Sequence, residues 1–237
     1  MSAPIRLYDE PTSRSPAVRV VSRIEEDEEL HALLWCAGPG WRMVSSAVLG
    51  GGIGERSWVL NAQVSHGYRR SDPHRHLAEL AGRYGMAGPG VGLMTAADVR
   101  GYGRARDGGV EAFTTAGLGV RGWAASTADG EIGPPEPGTV NIVVAVPVAL
   151  SDAALVNAVA TATEAKVQAL LQAGYDCSGT PTDAVCVAAR VPAGGAPVYD
   201  FAGPRSVWGA RLARAVHGAV LAAAERADGS VPGVALR

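Results

Sequence analysis

The chain has 237 residues, of which 47% are hydrophobic and 19% charged, and its formal net charge is -2 at pH 7. This composition supports a full hydrophobic core and argues against disorder. The interspersed acids and bases lack the electrostatic footprint of a protein that binds nucleic acid or an anionic membrane. Because no signal-peptide core and no apolar run of bilayer length is found, we expect a cytoplasmic protein without membrane insertion.

The first half of the chain is predicted to be rich in short strands. We expect a flexible N-terminal arm over residues 1–16, which are polar and proline-rich, and one domain over 17–237. β-type runs separated by turn residues lie at 17–24, 30–36, 42–49, 57–64, 91–97 and 110–117. Asp72 and Pro73 indicate the start of a helix that ends near Gly85. The acidic run 25–29 is interpreted as a solvated turn.

The second half begins after a polar segment rich in glycine and proline, residues 126–138, which is the best candidate for an internal subdivision. A strand at 139–148 is followed by a long helix at 153–173, capped by Ser151 or Asp152. Another strand at 184–191 completes a β-α-β unit, and a last helix begins near Pro204 and reaches about Ala227. We therefore predict an α+β fold, with mixed β-sheets layered with helices and the β-α-β unit plus flanking helix at the C-terminal end.

Cysteine and histidine spacing gives no sign of a metal centre. Cys36, Cys177 and Cys186 are odd in number and widely spaced, which favours buried free thiols over a disulfide framework. His74 and His76 are two positions apart on a predicted helix and so do not share a face. We expect no metal site.

Polar residues form a stripe on the long helix. Asn157, Thr161, Glu164 and Gln168 follow i, i+4, i+7, i+11 spacing and share one face. A solvated face is the ordinary interpretation of such a stripe. The helix carries few charges, however, so a stripe that faces a cavity remains an equal alternative.

Lys166 lies on the apolar side of the same helix, in line with Leu155 and Val159. A lysine in that position either extends its amine to solvent or meets a buried carboxylate. Asp183, at the end of a Gly-Thr-Pro-Thr loop, is the candidate partner, and a desolvated lysine can serve as a base. The loop residues Thr180 and Thr182 are either part of an ordinary turn or present groups that bind an anion.

Thr139 and Asn141 start the apolar strand of the β-α-β unit and share one of its faces. If the bond before Thr139 were cut, its amine could act as the base for its own hydroxyl; the alternative is a threonine chosen for β-propensity. Asn141 must find hydrogen-bond partners or cost stability, so it serves either the structure or a substrate amide.

Several segments together resemble the adenosylcobinamide amidohydrolase family, over roughly residues 40–225. The most specific are Thr161-Ala-Thr-Glu-Ala-Lys166 and Gly179-Thr-Pro-Thr-Asp-Ala184. The others are Ser45-Ser46, Asn61–Val64 with Tyr68, Asp72-Pro73, Val91–Asp98, Thr114–Gly117, Pro137–Ile142 and Asn157. Where that family is expected to have an Asn-Gly-Gly turn, this chain has Leu49-Gly-Gly-Gly, so it lacks the side chain of that asparagine.

The resemblance implies hydrolysis of the amide that joins aminopropanol to a propionate arm of the corrin ring of adenosylcobinamide, giving adenosylcobyric acid in cobinamide salvage. It implies no cofactor for the chemistry, because the cobalt arrives with the small-molecule corrinoid substrate; whether the chain forms a homo-oligomer stays open. On the resemblance and the patterns above, the catalytic candidates are Glu164, Lys166, Asp183, Thr182 and Thr139. The substrate-binding candidates are Asn141, Asn157, Thr161, Asn61, Tyr68, Thr95, Thr114 and Thr180. Some of Trp35, Trp41, Trp58 and Trp123 also fit a corrinoid pocket, although core packing is the better prediction for any single one.

Two alternatives remain. The order of Gly138-Thr139, apolar strand, alanine-rich helix and Gly/Thr/Asp loop is similar to the self-cleaving ornithine acetyltransferase and D-aminopeptidase families. That similarity implies an N-acyltransferase or aminopeptidase whose nucleophile is Thr139. The other alternative is a corrinoid-binding protein that performs no chemistry.

Overall fold

The computed structural model describes residues 17–126 and 138–228, in which a four-stranded and a six-stranded β-sheet lie face to face between helical layers and two further strands form a small sheet. The arm predicted at 1–16 and nearly all of the boundary loop predicted at 126–138 lie outside the described residues. The strands are β1 (Val18–Glu25), β2 (Glu28–Cys36), β3 (Trp41–Ser45), β4 (Gly52–Glu55), β5 (Trp58–Gln63), β6 (Val91–Thr95), β7 (Gly103–Asp107), β8 (Val110–Gly117), β9 (Thr139–Val146), β10 (Ala149–Leu150), β11 (Ala184–Arg190) and β12 (Val198–Tyr199). The helices are α1 (Pro73–Arg83), α2 (Asp152–Gln172) and α3 (Val207–Asp228), with a short 3-10 helix at Val99–Gly101.

The four-stranded sheet has the order β1-β2-β5-β6, with β5 and β6 parallel and the other pairs antiparallel. Glu26 and Asp27 have φ of 51° and 63°, so the acidic run forms the tight turn between β1 and β2. Helix α1 buries Leu77 and Leu80 against the outer face of this sheet.

The six-stranded sheet has the order β4-β3-β11-β9-β8-β7 and is mixed, because β9 and β11 run parallel while the other pairs are antiparallel. Helix α2 connects β9 to β11, which confirms the predicted β-α-β unit. Helices α2 and α3 cover the outer face of this sheet through alanine, valine and leucine side chains. The predicted α+β class with helices layered on mixed sheets is confirmed.

The inner faces of the two sheets meet in an aromatic core. The ring of Trp35 packs edge-on against Trp41, with centroids 5.1 Å apart, and against Phe113 at 5.9 Å. Such edge-to-face pairs stabilise a core beyond the area they bury. The packing fixes the sheets relative to each other, and with them the polar groups at the strand ends.

Some boundaries differ from the sequence-based prediction. Strand β4 occupies part of a glycine-rich segment expected to be a turn, and β7 was not predicted. Helix α3 begins after Ser206, whose Oγ accepts from Gly209 N at 3.1 Å, rather than at Pro204. Asp72 precedes α1 as predicted, but its carboxylate pairs with Arg70 instead of capping the helix.

Two further features concern the cysteines and the helices. Cys177 and Cys186 are buried free thiols as predicted, whereas the prediction was wrong for Cys36, which is exposed. In the described part of the chain, no helix is long and apolar enough to span a membrane.

Candidate functional site

Several candidate residues meet at one end of the molecule, where β9 and β11 begin and β8 ends. Gly117, at the end of β8, pairs with Thr139 at the start of β9. A Cβ on Gly117 would lie 3.2 Å from the Cβ of Ala97, so the segment after β6 in the other sheet reaches the same end. Asp183 directly precedes β11 and therefore lies beside the start of β9.

Lys166 and Asp183 form a largely enclosed ion pair at this end. Lys166 Nζ donates to Asp183 Oδ2, and the side chains are 9% and 13% exposed. The carboxylate also accepts from Val140 N at 2.8 Å and from the hydroxyl of Thr180 at 2.5 Å. Charges removed from water need such partners to be tolerated. The pair is thus held in one orientation by α2, β9 and the loop before β11.

Thr139 and Thr182 place two hydroxyl groups next to this pair. Their Oγ1 atoms are 2.6 Å apart, and Thr182 Oγ1 donates to the carbonyl oxygen of Gly138 at 3.0 Å. Because a hydroxyl has one hydrogen, this arrangement makes Thr139 the donor to Thr182. Thr139 is 8% exposed, whereas Thr182 is exposed. The cluster of Lys166, Asp183, Thr139 and Thr182 therefore extends from the interior to the surface.

A close approach by Gly179 shapes the cluster. A Cβ at this position would overlap Asp183 Oδ2 and Lys166 Nζ, so only glycine lets the loop pass here. Gly122 N donates to Gly179 O at 3.0 Å, which brings residues 118–126 across the loop. No sequence period links these two segments, and sequence reasoning missed this contact.

A second polar network lies deeper, between the sheets. Asn141 Nδ2 donates to Asn61 Oδ1 and to Met94 O, both at 2.9 Å, and Asn61 Nδ2 donates to Thr115 Oγ1 at 2.8 Å. Asn61 is 3% exposed and Asn141 1%. Asn141 Oδ1 has no hydrogen-bond partner among the described residues. The network joins the two sheets beneath the cluster.

Three polar residues of the α2 stripe lie apart from the cluster. Glu164 is exposed, and no ion pair involves it within residues 17–126 and 138–228. Asn157 Oδ1 accepts from Ala202 N at 3.2 Å, and Thr161 Oγ1 donates to Ala202 O at 2.8 Å. Asn157 and Thr161 therefore fasten the segment before α3 to α2. Their functional roles, and that of Glu164, stay predictions.

The remaining substrate-binding candidates have different surroundings. Thr95 is 2% exposed at the end of β6, and its Oγ1 accepts from Ala97 N at 3.1 Å. Thr114 alternates with Thr115 along β8 and so faces the helical layer, where its hydroxyl has no partner among the described residues. Thr114 thus shares a face with Val110, and its substrate-binding role stays a prediction.

Tyr68 lies on the α1 side of the four-stranded sheet. Its hydroxyl is 3.2 Å from His76 Nδ1, and His76 Nε2 is 2.8 Å from Glu25 Oε1. Burial raises the pKa of Tyr68 and lowers the pKa of His76 below its ordinary 6.5. The lowered pKa favours the neutral ring, and in that form the geometry suits a His76 that accepts from Tyr68 and donates to Glu25.

Cys177 lies near the cluster, within electrostatic reach of Asp183 and Lys166, a placement that sequence reasoning missed. It is fully buried, and burial raises the pKa of its thiol. Because the thiolate is the nucleophilic form, Cys177 is a poor nucleophile at neutral pH. Among the described residues no three acidic, histidine or cysteine side chains are grouped as metal ligands; the absence of a metal from the chemistry stays a prediction.

The geometry suits cleavage of an amide. Such a reaction needs a nucleophile or activated water, a group that moves protons, and donors for the developing negative charge. The cluster offers two hydroxyls, an ammonium group and a carboxylate within one hydrogen-bonded unit. These are the residue types required for the chemistry.

Comparison with known proteins gives a consistent result. Residues 17–232 match the adenosylcobinamide amidohydrolase family. A protein of Methanosarcina mazei named adenosylcobinamide amidohydrolase is 32% identical over 177 residues, covering 72% of this chain and 84% of that protein. One of the same name from Halobacterium salinarum is 33% identical over 208 residues, covering 84% and 87%. A solved structure from Pyrococcus horikoshii superposes with a TM-score of 0.49 and 13% identity, covering 89% of this chain and 84% of that one.

Proposed function

This chain belongs to the adenosylcobinamide amidohydrolase family, and we propose that it hydrolyses the amide joining aminopropanol to the corrin ring of adenosylcobinamide. The products are adenosylcobyric acid and aminopropanol, and the reaction serves cobinamide salvage. That the chain is an amidohydrolase follows from the family match and from its relatives' names. The bond, the products and the pathway are the proposal.

One observation carries the assignment of the site. The two segments of greatest resemblance to the family, Thr161–Lys166 and Gly179–Ala184, meet in space through Lys166 and Asp183. Both charged side chains are largely withdrawn from water, where a carboxylate or ammonium group costs stability unless its charge is used or balanced. We assign this pair, with Thr139 and Thr182, as the reacting centre.

Hydrolysis adds a hydroxyl to the carbonyl carbon and a proton to the leaving nitrogen. The Lys166–Asp183 pair supports the proton movements, because it holds an ammonium N–H donor beside a carboxylate acceptor at fixed geometry. Thr182 is exposed and can turn its hydroxyl from Gly138 O toward the substrate carbonyl. The substrate's cobalt takes no part in these steps.

Two routes provide the nucleophile. In one, the bond between Gly138 and Thr139 is cut first, and the new amine of Thr139 activates its own hydroxyl. The hydrogen bond from Thr182 to Gly138 O supports this route, because it polarises the carbonyl of that bond. In the other, the intact chain activates a water molecule. The mass of the purified protein distinguishes the two routes, because only the self-cleavage route yields a fragment that begins at Thr139.

The test is to incubate purified protein with adenosylcobinamide and to identify the small molecules by mass spectrometry. We expect equal amounts of aminopropanol and adenosylcobyric acid, and neither product from Lys166→Met. Tight binding of an unchanged corrinoid would favour a protein that only binds it. A self-cleaved chain with no action on corrinoids would favour the acyltransferase or aminopeptidase alternative.

A further inference from the structure

One tryptophan of the five differs from the others in its surroundings. Trp123 is 46% exposed, whereas the other four are between 3% and 6% exposed: Trp35, Trp41, Trp58 and Trp208. A single exposed apolar residue is common on protein surfaces. Trp123 differs from such ordinary exposed residues in its location beside the cluster.

The backbone holds Trp123 beside the cluster. Gly122 N donates to Gly179 O and Ser178 N donates to Gly122 O, both at 3.0 Å, while Ala124 N donates to Ser178 Oγ at 2.7 Å. The residues on both sides of Trp123 are therefore tied to positions 178 and 179. Gly179 in turn contacts Asp183 and Lys166. The backbone at Trp123 is therefore linked to the proposed reacting centre through the loop at Ser178 and Gly179.

We propose that Trp123 forms the aromatic wall against which the apolar face of the substrate's macrocycle packs, an inference that rests on the proposed function. A corrin ring is too broad to enter the enclosed Lys166–Asp183 pair, so it must remain at the surface while one amide arm reaches inward. An indole carried on an anchored backbone offers a flat apolar surface at a low entropic cost. It thereby selects amides carried on a large planar ring over small amides.

The test compares Trp123→Ala and Trp123→Phe with wild type, using adenosylcobinamide and a small N-(2-hydroxypropyl) amide that has no ring. Phe201→Ala is the control, because Phe201 is 75% exposed and lies on the segment next to α3. We expect Trp123→Ala to raise KM and Kd for adenosylcobinamide about tenfold or more. The kcat should change little, any turnover of the small amide should be unaffected, Phe should partly rescue, and Phe201→Ala should match wild type.

Measuring Kd by equilibrium dialysis separates the two claims. If wild type hydrolyses adenosylcobinamide and Trp123→Ala keeps the same KM and Kd, the role of Trp123 is wrong and the proposed function stands. If wild type binds the corrinoid without cleaving it, the proposed function is wrong and Kd tests Trp123. A higher Kd in Trp123→Ala then supports its role, and an unchanged Kd contradicts it. If wild type neither binds nor cleaves corrinoids, both proposals are wrong.

Discussion

Lys166, in the second half of α2, donates its Nζ hydrogen to the carboxylate of Asp183, the residue directly before β11. The contact joins a helix of the outer layer to the edge of the sheet where β9 begins. It leaves each charge dependent on the other, because both side chains are at most 13% exposed.

Removal of one partner should therefore affect both activity and stability. We expect Asp183→Asn to lower kcat by about 100-fold or more, the usual contribution of a group that moves protons. It should also destabilise the fold by about 3 kcal/mol, because Lys166 keeps an unpaired charge. Steady-state kinetics and urea unfolding measure the two effects.

The double variant Lys166→Met/Asp183→Asn separates them. It removes both charges, so we expect it to be more stable than Asp183→Asn while remaining inactive. Recovered activity in the double variant would remove the pair from the chemistry and leave it a purely structural role.

Gly179→Ala tests the close packing of the loop on the ion pair. The added methyl group overlaps Asp183 Oδ2 and Lys166 Nζ, so we expect lower kcat and a loss of about 1–3 kcal/mol of stability. Gly82→Ala is the control, because a methyl group there meets nothing within 4 Å and lies on α1. That change should stabilise the protein by up to about 1 kcal/mol. Equal activity of both variants with wild type would contradict the packing described.

Glu164→Gln tests the exposed carboxylate of α2. We expect the free energy of unfolding to stay within about 0.5 kcal/mol of wild type, as for most surface changes. The catalytic role predicted from the sequence requires, in addition, that hydrolysis be lost. Gln168→Ala, on another exposed position of α2, is the control. Full activity of Glu164→Gln would confine the site to the cluster of Lys166, Asp183, Thr139 and Thr182.

His76 should make stability depend on pH. Burial lowers its pKa below 6.5 despite the attraction of Glu25, and Arg70 and Arg23 act in the same direction as burial, while Glu79 opposes them. The unfolded chain therefore binds a proton at a higher pH than the folded one. Stability is complete above about 6.5 and falls as the pH drops below that value, by at most about 1.4 kcal/mol per pH unit.

Urea unfolding of wild type and His76→Gln between pH 7 and 5 measures this effect. We expect the variant to lose the pH dependence that belongs to His76. An identical slope in both proteins would show that another group is responsible. Hydrolysis at pH 7 should be retained in the variant, because Tyr68 and His76 lie on the α1 side of the sheet.

Local patterns predicted the second half of the fold well. Ser151 caps α2 through Ala154 N, and the apolar strands at 139 and 184 pair in parallel as a β-α-β unit requires. The partnership of Lys166 with Asp183 followed from a lysine on an apolar helix face beside a candidate carboxylate. Apart from the partnership of Lys166 with Asp183, these features depend on short-range sequence periods, which the chain displays clearly.

Other features depend on contacts between distant segments. Helical spacing groups Asn157, Thr161 and Glu164, but only packing decides that Asn157 and Thr161 hold Ala202 while Glu164 is exposed. The contact between Gly122 and Gly179 is not predicted by any pattern in the sequence of either segment. Strand β7 was missed because its charged residues, such as Arg104, face away from the core at a sheet edge.

The most direct test of the proposed reaction is hydrolysis in water enriched in oxygen-18. Purified protein is mixed with adenosylcobinamide, and the mass of the corrinoid product is measured by mass spectrometry. Hydrolysis predicts release of aminopropanol together with adenosylcobyric acid that carries one oxygen-18 atom in its new carboxylate. An unchanged corrinoid, or aminopropanol released without the label entering the product, would contradict the assignment.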